Sequence, residues 1–305
     1  MLGRIAGAVR FKEPLSFHTS LRIGGPAEFM VVPHDIDDAR HAMLFAAQED
    51  LPVIVVGGGN NLLVSDRGVQ AVVLKLQGIL SRTQFDGEEA VVGAGVGLSE
   101  LIREASAQGL GGLEEFAGVP ASIGGALAMH VKGGNRAFED LCTAVYFLYR
   151  DGTLGEIRPS GGHVFRNLHP ASTVLLGCRL RLTRRPPADI RRDIQQRLKL
   201  KRTTQPFALA SAGYIWKRAG TEPAERLIER AGLRGKRVNA AEISTKCGNF
   251  IVNRGGATAA DVLALMEMMA ETVERRFGVT LRPEIRMLGF DRSRVETAPR
   301  ELVAS

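Results

Sequence analysis

The first half of the chain alternates short apolar runs with glycine turns. Glu28 to Val32 is the first strand-like run, followed from Ile36 to Glu49 by helical spacing with Ala39, Met43, Ala46 and Ala47 on one predicted buried face. Val53 to Val56, Leu62 to Val64 and Val72 to Leu76 are further strand candidates, the first two separated by the glycine cluster Gly57 to Gly59. Ala90 to Val92 leads through Gly93, Gly95 and Gly97 into a helix predicted from Leu98 to Gln108, with Gly109 just past its end. Ala144 to Tyr149 and Val174 to Leu182 complete this half. Short strands and helices interleaved by loops predict α+β packing.

Pro186-Pro187 then breaks the pattern. Ala188 to Thr203 reads as a highly charged helix and Glu222 to Ala231 as another, closed by Gly232. Thr258-Ala-Ala-Asp261 resembles a capping box and starts a helix predicted to reach Phe277 and stop at Gly278. Its apolar positions Val262, Leu265, Met266, Met269, Val273 and Phe277 share one face, which assigns the methionines to a core. The proline pair divides the chain into residues 1–187, with two lobes of about 1–80 and 81–187, and residues 188–305.

Composition narrows the function classes. The 305 residues are 45% hydrophobic and 24% charged, values of a globular chain, with 40 basic and 33 acidic residues. Nine Lys/Arg against two Asp fall between Arg181 and Arg202, which leaves 31 of each sign elsewhere. The excess therefore belongs to one helical segment. No aromatic residue interrupts it, unlike the stacking surfaces of single-strand readers, so no nucleic-acid partner is expected. No apolar run reaches the roughly 18 residues of a membrane helix, and the start, MLGRIAGAVR, lacks the apolar stretch of a secretory signal. Three scattered cysteines, Cys142, Cys178 and Cys247, predict a reducing, cytoplasmic setting.

The candidate chemistry is glycine-rich. Gly57-Gly-Gly-Asn-Asn61 after a strand can turn successive N–H groups into a phosphate-binding concavity, or serve as an ordinary turn. Gly93-Ala-Gly-Val-Gly97 places its third glycine one residue too early for a dinucleotide fingerprint, which favours a plain turn. Ala117-Gly-Val-Pro-Ala-Ser-Ile-Gly-Gly-Ala126 is small enough to lie flat against a large planar ligand, or to cross tightly inside a core. Taken together, the three loops suggest a long ligand carrying phosphates. The six histidines (His18, His34, His41, His130, His163, His169) show no metal-binding spacing, and no nucleophile elbow is present, so no metal site is expected. Pro283-Glu284-Ile-Arg286 sets opposite charges on one face of a predicted strand.

In this order the chain carries Thr19-Ser-Leu-Arg-Ile-Gly-Gly-Pro-Ala27, Gly57-Gly-Gly-Asn-Asn-Leu-Leu-Val-Ser-Asp66, Gly118-Val-Pro-Ala-Ser-Ile-Gly-Gly-Ala126, Ser211-Ala-Gly213, Asn249-Phe-Ile-Val-Asn253 and Pro283-Glu-Ile-Arg286. This series resembles the UDP-N-acetylenolpyruvoylglucosamine reductases, the MurB flavoenzymes, over roughly Leu15 to Gly289, and among them the subclass without a tyrosine-bearing insertion. The resemblance implies a vanillyl-alcohol-oxidase-type FAD-binding fold followed by a smaller α+β substrate domain. It also implies FAD as cofactor, NADPH as co-substrate, a UDP-sugar substrate and a place in peptidoglycan precursor synthesis.

By the same resemblance, Arg22, Ile23, Gly24, Gly57, Gly58, Gly59, Asn60, Asn61, Leu62, Gly118, Val119, Pro120, Ser122, Ile123, Gly124 and Gly125 are the cofactor-binding candidates. In the family the enolpyruvyl ether accepts a hydride at its vinyl carbon and a proton at the carbon bearing the carboxylate. Arg166 matches the arginine that holds that carboxylate, and Glu284 the acid that polarises the same group. Lys217, His130 and Arg286 are the candidate substrate-binding residues. Departures cluster here. Tyr214 stands where the family has a proton-donating serine, Asn60 where serine is usual, His130-Val-Lys132 for Asn-Ala-Gly, Leu168 for serine and Arg218-Ala219 for Asn-Pro. Two readings follow, an active reductase in which Tyr214 is the working acid, or a diverged, non-catalytic binder of flavin or UDP-sugar in which it blocks the pocket.

Overall fold

The structure, a computed structural model, describes residues 2–159, 173–220 and 222–290. The chain forms two compact units, each discontinuous in sequence. Unit 1 draws on Met1–Phe11, Phe29–Gly58 and Ala71–Lys201, and unit 2 on Lys12–Glu28, Gly59–Gln70 and Arg202–Ser305.

Unit 1 holds two larger sheets beside two two-stranded pairs. The first orders its strands Ala8–Pro14, Pro26–Val32, Val69–Leu74, Val53–Val55, and the unit boundaries fall within the first three of them. Its β-branched strands Val53–Val55 and Val69–Leu74 pair in parallel, with Val53 opposite Val72. Helix α1 (Ile36–Gln48) buries Ala39, Ala42, Met43, Phe45 and Ala46 in the same core as Val31, Val72 and Leu74. Ala47, expected on that face, is exposed. At 100° per residue it lies one step round from Ala46, and Ala42 and Phe45 complete the stripe instead.

The second sheet is antiparallel, ordered Leu154–Ile157, Cys142–Tyr149, Thr173–Arg181, Glu89–Gly93, Thr83–Asp86. Helix α2 (Leu98–Ala107) packs Leu98, Leu101 and Ala105 into a core shared with Val145 and Phe147, and Gly109 takes the left-handed conformation after it at φ +69°. Helix α3 (Ile123–Ala128) adds Ile123, Ala126 and Leu127. Helix α4 (Pro187–Thr204) carries most of the basic segment. Arg181 pairs with Glu89 at 3.0 Å, Arg185 with Glu114 at 2.6 Å and Asp193 at 2.9 Å, and Arg192 with Asp189 at 2.8 Å. Much of the local charge is thus neutralised within unit 1.

Unit 2 has an antiparallel sheet ordered Ala210–Ser211, Ile251–Asn253, Ala241–Ile243, Arg237–Val238, and a parallel pair, Leu62–Val64 with Arg286–Leu288. Helices α5 (Ala224–Arg230) and α6 (Ala259–Phe277) bury Leu227, Ile228, Leu265, Met266 and Met269 with Ile243 and Ile251. The capping box is present. Thr258 Oγ1 accepts from Asp261 N at 3.1 Å, the Asp261 carboxylate accepts from Thr258 N at 2.9 Å, and Gly278 closes the helix at φ +65°.

One buried carboxylate fixes the start of unit 1. Asp38, 3% exposed, accepts from Ala6 N and Gly7 N, both at 2.8 Å, and from His34 N at 2.9 Å. Burial alone would raise its pKa, but these backbone donors, His34 first, bring it below the ordinary value. Asp38→Asn is expected to lower unfolding stability by about 1–3 kcal/mol at pH 7, measured by denaturant unfolding. Because the folded pKa is depressed, that advantage is complete above the unfolded value of about 4 and fades as pH falls through the folded one. An unchanged difference at pH 3 would contradict this account.

Candidate active site

In unit 1 the glycine-rich loops converge. A Cβ on Gly57 would lie 2.2 Å from Ser122 Oγ, and one on Gly124 would lie 3.0 Å from Ala94 Cβ. Ser122 caps α3, accepting from Gly125 N at 3.2 Å. Ile123 N donates to Val96 O and Gly124 N to Ala94 O, so the Gly93 to Gly97 turn is a brace for the 122–124 backbone. Gly118, at φ +75°, lies against Lys201, whose Cδ would be 3.0 Å from an added Cβ. Burial, then the nearby Arg197, lowers Lys201 to about 8. Lys75 Nζ donates to Gly57 O at 2.8 Å, and burial lowers its pKa as well.

In unit 2 four separated motifs form one hydrogen-bonded network. Thr19 Oγ1 donates to Ile23 O at 2.8 Å and accepts from Ile23 N, closing a turn in which Arg22 (φ +58°) and Gly24 (φ +142°) have positive φ. Ser20 N and Oγ both donate to Gly59 O, and Ser20 Oγ also reaches Ser211 O at 2.7 Å. Gly59 is at φ +64°, and a Cβ there would sit 2.0 Å from His18 O. Asn61 Nδ2 donates to Glu284 O at 3.1 Å, and Arg286 N to Asn61 O at 3.0 Å, where the parallel pair sets Arg286 opposite Leu62. Glu284 N in turn donates to Ile215 O at 2.8 Å, and Lys217 N to Arg282 O.

This network holds the backbones of Ile215, Lys217, Glu284 and Arg286 with the Asn60 to Leu62 loop, and Tyr214 precedes Ile215 in it. Buried Asn249 fixes the segment after Tyr214, accepting from Trp216 N at 2.9 Å and donating to Trp216 O at 2.8 Å. The Tyr214 ring stands edge-on to Phe250, centroids 4.9 Å apart, and its hydroxyl accepts from Gln205 Nε2 at 3.3 Å. Burial raises the Tyr214 pKa, with Gln205 opposing. Burial also raises the Glu284 carboxyl and the Lys217 charge opposes it, so Lys217, more than Arg286, is its electrostatic partner. Pro283, Ile285 and Met287 turn into the core while Glu284 and Arg286 stay half-buried, the alternation expected of extended backbone.

Two candidates are not part of this unit 2 network. Arg166 lies outside the described residues, as does Leu168. His130, in unit 1 at φ +48°, sets Nδ1 2.8 Å from Glu139, a carboxylate only 3% exposed. Glu139, Gln205, Asn249 and Lys75 were not singled out as site residues from the sequence. Of these, Lys75 had a visible signal, a single charge within the apolar stretch Val69 to Leu76.

Comparison with known proteins defines first a class and then a family. A model of the FAD binding domain matches residues 27–158, and one of the UDP-N-acetylenolpyruvoylglucosamine reductase C-terminal domain matches residues 205–288. UDP-N-acetylenolpyruvoylglucosamine reductase 2 of Symbiobacterium thermophilum is 39% identical over 291 residues, 94% of each chain. The Geobacter metallireducens reductase is 38% identical over 93% of this chain and 95% of its own. The crystal structure of the Thermus caldophilus enzyme (MurB) superposes with a TM-score of 0.78 at 32% identity, over 93% of this chain and 99% of that one. The chain belongs to the UDP-N-acetylenolpyruvoylglucosamine reductase family, with the α+β, FAD-binding fold that its sequence implied.

The residues present fit FAD. A Cβ at position 57 would meet the Ser122 side chain, with Oγ 2.2 Å away, and a lysine lines each of the Gly57 and Gly118 loops. Gly59→Ala is expected to cost about 2 kcal/mol or more through the positive φ and the clash with His18 O, and to strip most flavin from the purified protein. Thermal melting and the flavin-to-protein absorbance ratio report both losses. Gly3→Ala, where a Cβ meets nothing, should leave them unchanged.

Proposed function

We propose that this protein reduces UDP-N-acetylglucosamine enolpyruvate to UDP-N-acetylmuramate, with FAD as cofactor and NADPH as reductant, for peptidoglycan precursor synthesis in the cytoplasm. The observation that carries this reading is the hydrogen-bonded convergence of the Thr19 to Gly25 turn, Gly59 to Leu62, Tyr214 to Lys217 and Glu284 to Arg286, in a chain of that reductase family. We place the division between flavin-binding and substrate-binding parts at Pro186-Pro187, between the two matched stretches. The buried free thiols of Cys142, Cys178 and Cys247 suit a reducing compartment. Among the described residues no helix is long and apolar enough to cross a membrane. The pairing of Arg181, Arg185 and Arg192 with nearby acids leaves less of the basic segment's charge open to a nucleic acid, and no such partner is proposed.

Bound FAD supplies the hydride chemistry. The chain's own residues hold the enolpyruvyl carboxylate and deliver one proton. In this reading Arg166 grips the carboxylate through its planar fork, while Lys217, Arg286 and His130 orient the anionic substrate. Glu284, its pKa raised by burial, polarises the same carboxylate. Tyr214 is the acid. Its oxygen accepts from Gln205, which leaves the phenolic proton free for another acceptor, the phenol is protonated at neutral pH, and the Gln205 amide stabilises the phenolate that delivery leaves behind.

The purified protein is expected to be yellow and to oxidise NADPH faster when UDP-N-acetylglucosamine enolpyruvate is added. Tyr214→Phe should leave flavin bleaching by NADPH intact and slow its reoxidation by the enolpyruvyl sugar by about 100-fold or more, read by stopped-flow absorbance. Faster reoxidation in Tyr214→Ser would instead make the ring a block. Wild-type protein with no substrate-dependent turnover would favour the non-catalytic homologue.

A further inference from the structure

Lys75 is the only charged residue in the stretch Val69 to Leu76. It follows the strand Val69–Leu74, whose parallel neighbour Val53–Val55 leads directly to Gly57. Its backbone is fixed on both sides, because Lys75 N donates to Val31 O at 2.9 Å and Val56 N to Leu74 O at 2.9 Å. From this position Nζ reaches Gly57 O at 2.8 Å, and on the other side of Gly57 stands Ser122 Oγ. A half-buried ammonium therefore sits beside the first glycine of the loop, within the stretch matched as an FAD binding domain.

Holding a carbonyl does not require a charge. A neutral amide donates to it without the desolvation that a buried cation incurs. Burial is the cause that lowers the Lys75 pKa, with no carboxylate contributing to raise it. An ammonium has three N–H donors, and Gly57 O takes one of them. A glycine-rich loop with a cation directed at its backbone is complementary to a phosphate.

We propose that Lys75 is an anion-binding residue of the FAD site, whose ammonium couples the Gly57 carbonyl to the negative charge of the cofactor's diphosphate. The proposal rests on the FAD reading of the chain and extends it to a residue outside the glycine motifs. It accounts for the single charge that follows the strand Val69–Leu74. Charge here also makes FAD affinity depend on ionic strength, because salt screens the contact.

The test titrates apo-protein with FAD at several salt concentrations, followed by quenching of flavin fluorescence. Lys75→Gln keeps an N–H for Gly57 and removes the charge. It should weaken FAD binding by about tenfold or more and flatten its salt dependence, while Lys75→Arg stays within about threefold of wild type with the slope retained. Wild-type affinity and slope in Lys75→Gln overturn the proposal. Equal losses in both variants with an unchanged slope also overturn it, since they assign Lys75 to holding the loop alone. If Lys75→Gln does not fold, Lys75→Arg decides: retained affinity and slope support the charge role, and lost affinity with an unchanged slope refutes it. Wild-type apo-protein that binds no FAD would overturn the FAD reading itself, independently of the variants.

Discussion

The candidate site depends on backbone approaching backbone where no Cβ fits. Gly59 lies against His18 O, Gly25 against Asp66 O and Gly68 against Pro26 O, each with room for hydrogen and nothing larger. These approaches hold the turn from Thr19 to Gly25 beside the loop that begins at Gly59, and the loop hands its position on through Asn61 to Glu284 and Arg286. Side-chain chemistry in unit 2 is thus placed by main-chain geometry. In unit 1 it is the Ser122 side chain that closes on Gly57, and the glycine's carbonyl holds a cation.

The titratable groups fall into two sets. Asp38 and Asp261, bonded by backbone donors, and Glu242, bonded by Arg254 and Arg237, are all drawn toward their charged forms. These serve the architecture, each satisfied at the place where a chain end, a helix start or a strand must be fixed. Glu284, Lys75, Lys201, Arg286 and Tyr214 shift the other way, toward neutral forms, because burial outweighs their partners. Groups left electrostatically underserved by their own protein cluster at sites that complete themselves with a ligand. Arg181, Arg185 and Arg192 of the basic segment belong with the architectural set, since they are paired with nearby acids, whereas Lys201 does not.

Local signals were legible wherever one element carries its own instructions. The stripe of α6 and its Thr258 and Asp261 cap, the glycine stops after α2 and α6, and the start of α4 at the proline pair are all written within a few residues. Long-range pairing was not. Leu62–Val64 was visible as a strand, but its parallel partner Arg286–Leu288 lies more than two hundred residues away, and no periodicity announces such a match. The same limit applied to the site. Glycine motifs and Glu284 carried their own pattern, whereas Gln205, Asn249 and Glu139 acquire meaning from neighbours that only folding supplies.

The discontinuity of unit 2 has a consequence for how the chain comes to be folded. Lys12–Glu28 and Gly59–Gln70 are synthesised early, yet they are completed by residues of the last third. Asp66 caps the first turn of α6 through Ala259 N at 2.9 Å, and Asn253 Nδ2 donates to Leu21 O at 3.0 Å. A ribosome working from the amino terminus must therefore release two unfinished loops and wait for their partners, with loop-closure entropy set by nearly two hundred intervening residues. Unit 1 ends at Lys201 and can assemble during that interval. Unit 2 is then completed only once residues after Arg202 have been made, although its first two segments are among the earliest synthesised.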